Sequence, residues 1–375
     1  MRYEGMERPK AKAKEPSLDT GRDINRITRV EKTFQELMEQ PQCLEKTIEY
    51  TKSHMDSFLD DLKDREINRI VLIGCGDSWF VGTCLESLLE KLTGCICQSI
   101  DAFECFTCKC ENMNDKTIII GQSASGTTSC VLGALEKARS KGAYTIGISN
   151  TENAEILTKS DFGLLIQANR KGWPTQATSS AIAAIAFLFS SLMVYKSKNT
   201  EYALEVVSEL SEKISGKMAS AIEGNKDLIQ REIGKYKYDE YFQASGNGSM
   251  FGVAQIAGAK LKELCPVHSS SFPLEEFHHY RTLKQDDTLL LFMNNNNSLK
   301  REIDTALVGA YDGGKIITVG TKIPEEIASV SDLCCTVPST VEELQPIVSM
   351  TVAHLFAYYL AKKKYDENIG YKERK

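Results

Sequence analysis

The stretch TIIIGQSASGTTSCVLGALEKARS, Thr117–Ser140, decides the fold. Thr117–Gly121 is a short apolar, β-branched run closed by a glycine, which reads as a buried parallel strand. Thr127–Ser140 has helical spacing, and the residues between, QSASG, are mostly serine, alanine and glycine. Strand, hydroxyl-rich loop and helix in that order open a βα unit. Working outward, the same alternation continues on both sides. Upstream, Ile70–Gly74 (IVLIG) is a strand, Trp79–Leu92 a helix and Cys95–Asp101 a strand. Downstream, Tyr144–Ser149 and Phe162–Ile166 are strands, and a long apolar helix, Ala177–Tyr195, closes the unit.

The second half repeats the order. Tyr241–Ser245 is a strand, followed by the loop GNGS and a helix over about Gly252–Leu264. Strands follow at Pro266–Ser270 and Thr288–Met293, then a helix at Leu299–Tyr311. Strands at Ile316–Val319 and Leu333–Val337 and a helix over about Glu343–Lys363 complete it. Self-similarity at domain size argues for two copies of one α/β unit. The expected fold is two tandem three-layer α/β/α units with parallel sheets. The expected boundaries are a polar tail at 1–25, a helical lead at 26–66 broken at Pro41, a first unit at 67–197, linker helices at 198–236, and a second unit with the C-terminal tail at 237–375.

The 375 residues, 42% of them hydrophobic, and the net charge of −6 describe an ordinary globular chain of two or three domains. The acidic balance removes the electrostatic drive towards nucleic acid or anionic membranes, so neither is expected as a partner. The first twenty residues hold no apolar run, so no signal peptide is read there and a cytoplasmic location is expected. SSAIAAIAFLFSSLMVY, Ser179–Tyr195, falls just short of a membrane span, contains four serines and reads as a core helix. Without a secretory signal, the twelve cysteines read as reduced thiols. Cys95, Cys97, Cys105, Cys108 and Cys110 crowd together, but no second C-x-x-C pair completes a metal set, and packing in a sheet is the favoured reading.

The copies differ where chemistry would sit. The first has GQSASGTTS, Gly121–Ser129, after its third strand; the second has NNNNS, Asn294–Ser298. Hydroxyls and free amides at a helix start make an anion site, although Ser and Thr also serve there simply as caps. The loop has no lysine, so it is no Walker A loop, and it suits a terminal sugar phosphate better than ATP. GCGDSW, Gly74–Trp79, starts like a dinucleotide fingerprint with Asp101 after the next strand, but Trp79 takes the third glycine position. Asp77 and Ser78 are better placed to face a ligand crevice. GQSAS fails as a serine-hydrolase elbow because Ser125 stands where its last glycine belongs.

A second cluster holds Lys260, Lys262, Glu263, His268, Glu275, Glu276, His278 and His279. Lys260 and Glu263 share a helix face, and a carboxylate with a histidine can shuttle protons. A surface ion pair and solvated histidines explain the same residues. No H-E-x-x-H spacing is present, so a zinc site is not expected.

Taken in order, these blocks resemble the double SIS (sugar isomerase) family, comprising the isomerase half of glucosamine-6-phosphate synthase and the fructosamine 6-phosphate deglycases. EQP at Glu39–Pro41, GCGDSW, SASGTT at Ser123–Thr128 (the family's S-Q-S-G-E-T), GAKLKE at Gly258–Glu263 and EEFHHY at Glu275–Tyr280 all find counterparts. The resemblance covers about residues 27–364. It implies a phosphate site at Ser123, the Ala124 backbone, Ser125 and Thr128, with Ser78 nearby. It implies that Asp77, Trp173, Thr175 and Gln176 face the sugar. It implies Glu263 as the base between C1 and C2, Lys260 assisting, and His279 as acid or ring-opener supplied by a partner subunit of a homodimer or higher homo-oligomer. No cofactor and no metal are implied.

The chain departs from the family pattern in four places. Tyr280-Arg281 replaces Gly-Pro, and Pro174-Thr175-Gln176 replaces S-T-K. The tail lysine has only a weak candidate in Lys372. A glutaminase domain with its N-terminal cysteine is not found, so glutamine-dependent synthesis by this chain alone is not expected. The resemblance then implies deglycation of a fructosamine 6-phosphate, with aldose–ketose or amino-sugar phosphate isomerisation as the alternative. A non-catalytic sugar-phosphate sensor is the reading of another class.

Overall fold

The computed structural model describes residues 24–294 and 297–367. Lys372 and residues 1–23 of the expected tail lie outside them, while residues 24–25, also expected in the tail, open the first helix. Two compact units emerge: Gln42–Asn169 with Gln176–Glu212, and the lead helix Ile24–Met38 with Arg170–Thr175 and the residues from Lys213 onward.

The first unit holds a five-stranded parallel sheet in the order β2-β1-β3-β4-β5. Its strands are β1 (Arg69–Gly74), β2 (Ile96–Asp101), β3 (Thr117–Gln122), β4 (Tyr144–Ser149) and β5 (Phe162–Leu165). Strands β3 and β4 are buried along their whole length, whereas edge strand β2 alternates. That contrast is why β3 and β4 read as unbroken apolar runs: helices cover both faces of a central parallel strand. The Gln176–Tyr195 helix lies buried in this unit, with Phe189 6.0 Å from Phe58, whose own neighbour on the sheet is Phe162 at 5.1 Å.

The second unit repeats the topology as β10-β9-β8-β6-β7. Its strands are β6 (Phe242–Gly246), β7 (Ser269–Pro273), β8 (Thr288–Phe292), β9 (Lys315–Gly320) and β10 (Leu333–Thr336). In both units the sheet direction of travel reverses between the first and third strands. Gly74 and Gly246 end the first strand of each unit, and Gly76 and Gly248 open the following helix at φ +57° and +56°. At Gly74 an added Cβ would meet the Ser78 backbone at 2.4 Å, and at Gly246 that of Met250 at 2.5 Å. The repeat therefore extends to the turn geometry and not only to element order.

Several expectations shift. The lead breaks at Glu39, between the helices Ile24–Met38 and Gln40–Ser53, and Pro41 sits in the first turn of the latter, where its missing N–H has no helical partner to lose. Strand β7 lies three residues beyond the expected Pro266–Ser270. Cys105, Cys108 and Cys110 are on short helical turns, not in the sheet. Cys105 and Cys110 pack in the core beside Ala134 and Leu135, while Cys108 is exposed.

Among the described residues, two helices are long and apolar enough to cross a membrane, Gln176–Tyr195 and Glu342–Asp366, and both are buried. The Gln345–Asp366 helix is buried on all sides and carries His354, whose ring nitrogens have no hydrogen-bond partner among the described residues. Burial, reinforced by the nearby Lys260 charge, lowers the His354 pKa from 6.5 to about 3. The unfolded chain then takes up this proton at a higher pH than the folded one. The contribution is complete above pH 6.5 and is lost as pH falls towards 3. We expect the parent's melting temperature to fall more steeply over that window than that of His354→Leu, measured by thermal denaturation at stepped pH.

Candidate functional site

In the first unit, β1 and β3 are hydrogen-bonded neighbours, with Ile73 opposite Gly121. The loops that follow them leave the sheet side by side at its topological switch point, where open α/β sheets take ligands. The β3 loop, 123–128, leads into the Ser129–Ser140 helix. Ser123 Oγ lies 2.8 Å from Thr128 Oγ1 and 3.3 Å from Ser125 Oγ, and it accepts the Gly126 N–H at 3.0 Å. Thr127 donates its N–H and its hydroxyl to Ser125 Oγ, at 3.3 and 3.2 Å. From β4, Ser149 Oγ and Thr151 Oγ1 donate to the Ala124 carbonyl at 3.2 and 2.7 Å, which fixes the loop backbone.

Gly126 has φ +65°, and a Cβ there would sit 2.2 Å from that of Ala154. Only glycine fits this turn. Thr128, at the helix start, makes no capping hydrogen bond with its side chain. The hydroxyls thus bond mainly to one another and to loop amides. The helix ladder begins with the Val131 and Leu132 N–H groups donating to the Thr128 carbonyl at 3.0 Å, and amides ahead of that point favour an anion.

The β1 loop supplies Cys75, exposed, then Asp77 and Ser78, both half-buried at the start of the Asp77–Thr93 helix. The close helix–strand approach expected of a dinucleotide site is displaced: at Gly82, a turn beyond Trp79, a Cβ would lie 2.4 Å from Ser99 Oγ. Asp101 caps the next short helix, accepting the Phe103 and Glu104 N–H groups at 2.9 and 3.1 Å. Sequence reasoning missed one neighbour here. Cys130, in the first turn after the anion loop, places its Sγ 3.4 Å from Cys75 Sγ.

In the second unit, Lys260 and Glu263 are on the Ser249–Leu264 helix, and Lys260 Nζ donates to Glu263 Oε2 at 2.5 Å. Lys260 is fully buried, while the Glu263 side chain keeps 36% exposure. Three donors hold the end of this helix. Arg26 donates to the Glu263 carbonyl at 2.7 Å, Tyr365 to that of Leu264 at 3.3 Å and Lys364 to that of Cys265 at 2.8 Å. Cations at a helix C-terminus satisfy its orphan carbonyls and oppose its dipole. These residues lie 237, 101 and 99 positions from their partners, so no local pattern announces them.

Because Glu263 reaches water, replacing Lys260 by an apolar side chain of similar length strands no buried charge. We expect Lys260→Met to keep or slightly raise the melting temperature, since a buried ion pair contributes little net stability. Thermal denaturation beside the parent protein checks this.

Trp173 is buried against the lead helix. Its backbone N–H donates to Thr33 Oγ1 at 2.8 Å, and the Arg29 guanidinium lies 3.4 Å from its ring centroid. Glu36, its carboxyl raised by burial, accepts the Lys171 N–H at 2.6 Å. Thr175 and Gln176 are buried, and Gln176 Oε1 accepts the Asn169 N–H at 2.9 Å. His279 is exposed on the short Glu276–His279 helix, with Nε2 3.7 Å from Glu275 Oε1. Within this chain its described polar contact is to Glu275 and not to the Lys260–Glu263 pair. His278, its pKa lowered by burial and then by Arg301, bonds Thr305 Oγ1 at 2.9 Å.

The counterpart of the anion loop in the second unit differs. Asn295 and Asn296 lie outside the described residues. The Leu299–Tyr311 helix that follows carries a fully buried Glu302, whose Oε1 accepts the Asn294 N–H and the Ser298 hydroxyl, each at 2.8 Å.

Comparison with known proteins adds the following. Residues 65–195 match the SIS domain model. Glutamine–fructose-6-phosphate aminotransferase (isomerizing) of Aquifex aeolicus is 26% identical over 334 residues, covering 88% of this chain and 54% of the relative. The enzyme of the same name from Bacteroides thetaiotaomicron is 26% identical over 356 residues, covering 88% and 55%. The chain therefore spans about half the length of the curated relatives it matches. Among solved structures, the C-terminal domain of glucosamine-fructose-6-phosphate aminotransferase from Francisella tularensis superposes with a TM-score of 0.79 at 19% identity, covering 88% of this chain and 96% of that one. Tagatose-6-phosphate ketose/aldose isomerase from Escherichia coli gives 0.73 at 18% identity, covering 88% and 92%.

Proposed function

We propose, from the premise that residues 65–195 are a SIS domain and that both units share its fold, that this protein is an enzyme acting on a phosphorylated ketose or ketosamine. The observation that carries this reading is the lysine-free cradle of hydroxyls and amides at the β1/β3 switch point, which suits a phosphate monoester. Ser123, Ser125, Thr128, Ser78 and the Ala124 backbone take the phosphate. Asp77, Trp173, Thr175 and Gln176 face the sugar.

Glu263 is the base that moves a proton between C1 and C2. Lys260 fixes one carboxylate oxygen and leaves the other for the substrate. His279, supplied by a second copy of the chain, is the acid. Carboxylate and imidazole pairs of this kind carry proton transfer without a metal or redox group.

The finer reading is deglycation, supported by the E-F-x-H sequence at Glu276–His279. Glu263 takes a C1 proton from a fructosamine 6-phosphate, the C2 carbonyl oxygen takes one from the acid, and an enaminol forms. Protonation at C2 gives the C1 imine, to which water adds as the amine leaves. The products are an aldose 6-phosphate and a free amine. Isomerisation of a ketose 6-phosphate uses the same two proton transfers without hydrolysis.

The test is to incubate the protein with fructosamine 6-phosphates, glucosamine 6-phosphate and fructose 6-phosphate, and to follow products by mass spectrometry and deuterium uptake from deuterated water at C1 of the ketoses or C2 of the aldose. Turnover with amine release is expected for the first. Exchange or interconversion of the others alone would replace deglycation by isomerisation. Binding without exchange or turnover on any substrate would leave a sensor.

A further inference from the structure

The twelve cysteines are all free thiols, and they separate into distinct environments. Cys105 and Cys110 approach to 3.7 Å, but both are buried in the core. Cys84, Cys95, Cys97, Cys265 and Cys335 are buried, and burial pushes the Cys97 thiol well up. Cys108 is exposed, with the Thr107 hydroxyl as its close polar neighbour at 3.3 Å. Cys75 and Cys130 are the pair that combines contact with access. Cys75 is exposed, Cys130 is partly so, and their sulfurs lie 3.4 Å apart.

The two thiols are also chemically unlike. Cys130 is in the first turn of the Ser129–Ser140 helix, where backbone N–H groups and the dipole favour a thiolate. The two sulfurs share a hydrogen bond, which, with help from the Cys130 and Val131 N–H groups, lowers the Cys130 pKa against the opposing effects of burial and Asp101. The same hydrogen bond, with burial and Asp101, pushes the Cys75 thiol up. A low-pKa thiolate beside a resolving thiol is the arrangement of a peroxide-reactive dithiol.

We propose that Cys75 and Cys130 form a thiol-modification site at the lip of the anion loop, oxidised by hydroperoxides to an intramolecular disulfide. The Cys130 thiolate attacks one peroxide oxygen. The O–O bond breaks, hydroxide leaves and Cys130 becomes a sulfenic acid. Cys75 sulfur then attacks the Cys130 sulfur. The S–O bond breaks, and the hydroxyl leaves as water with the Cys75 proton. With one further proton for the hydroxide, two thiols and one hydrogen peroxide give one disulfide and two waters. A thiol reductant reverses the bond. The proposal does not depend on the substrate reading, since it needs only the geometry of the first unit.

The test uses the full chain, reduced, desalted and treated with equimolar hydrogen peroxide near neutral pH, then alkylated and mapped without reduction. The expected product is a Cys75–Cys130 cross-linked peptide, lighter by two hydrogens than the two thiol peptides and abolished by dithiothreitol. Cys75→Ser is expected to stop at a Cys130 sulfenic acid that dimedone captures. Cys130→Ser is expected to slow Cys75 oxidation by about tenfold or more, to that of an ordinary surface thiol. Cys108→Ser is expected to leave the cross-link intact. Recovery of both Cys75 and Cys130 alkylated after peroxide would overturn the proposal. So would Cys75 oxidation at an unchanged rate in Cys130→Ser.

Discussion

Glu263→Gln is expected to lower turnover of a sugar 6-phosphate by roughly 10²–10⁴-fold while phosphate affinity stays close to the parent value, and to lower the melting temperature, because the fully buried Lys260 ammonium loses its counter-charge. The amide keeps the size and shape of the carboxylate but can neither take nor return a proton. Lys260 loses its charged partner, yet the amide oxygen still accepts its hydrogen bond across the 2.5 Å contact. The Arg26, Tyr365 and Lys364 donors act on backbone carbonyls at the end of this helix, so the substitution leaves its anchorage untouched. The loss should therefore fall on kcat. Deuterium exchange and calorimetric titration of a sugar 6-phosphate, run on the same protein, separate chemistry from binding. Unchanged exchange would remove Glu263 from the role of base.

Gly126→Val should act on binding instead of on the chemical step. The substitution places a β-branched residue at φ +65° and drives its Cβ into that of Ala154 at 2.2 Å. Backbone strain at such a position costs about 1–3 kcal/mol, and the clash adds to it. To relieve it the loop must shift. Ser123, Ser125 and Thr128 would then lose the 2.8–3.3 Å hydroxyl cluster that holds the cradle closed. We expect a lower melting temperature, and loss of measurable sugar-phosphate binding by titration even at temperatures where the chain stays folded. Ser123→Ala is the milder companion. It removes the hydroxyl that accepts from Gly126 without straining the turn, so affinity should fall while stability changes little. A Gly126→Val chain that bound sugar phosphate at parent affinity would place the phosphate elsewhere.

The strands were legible because physics writes them locally. A parallel strand covered on both faces is apolar along most of its length, as III in TIIIG and LLLF in TLLLF are. Strand β7 was misplaced because an edge strand need not be apolar: SSSFP pairs through its backbone and leaves polar side chains outside. The anion loop was legible because glycine and hydroxyls at a strand–helix junction have few other uses. Pro41 misled because proline breaks a helix interior but suits its first turn.

The rest depended on contacts that sequence order does not record. Arg26 meets Glu263 across most of the chain, and Cys75 meets Cys130 only because β1 and β3 are neighbours in the sheet. His354 hid in a helix that is apolar all round, where periodicity marks no face.

The carboxylate of Glu302 gives the duplicated fold a lopsided stoichiometry. It sits at the start of the helix that, in the first copy, follows the anion loop, and it accepts the donors there. Tethered to the same chain, it acts as a resident ligand at an effective concentration that no free metabolite reaches. If the first copy takes one phosphate as proposed, doubling the scaffold has not doubled its appetite: the second copy, its Asn294 and Ser298 donors already turned to Glu302, serves as framework.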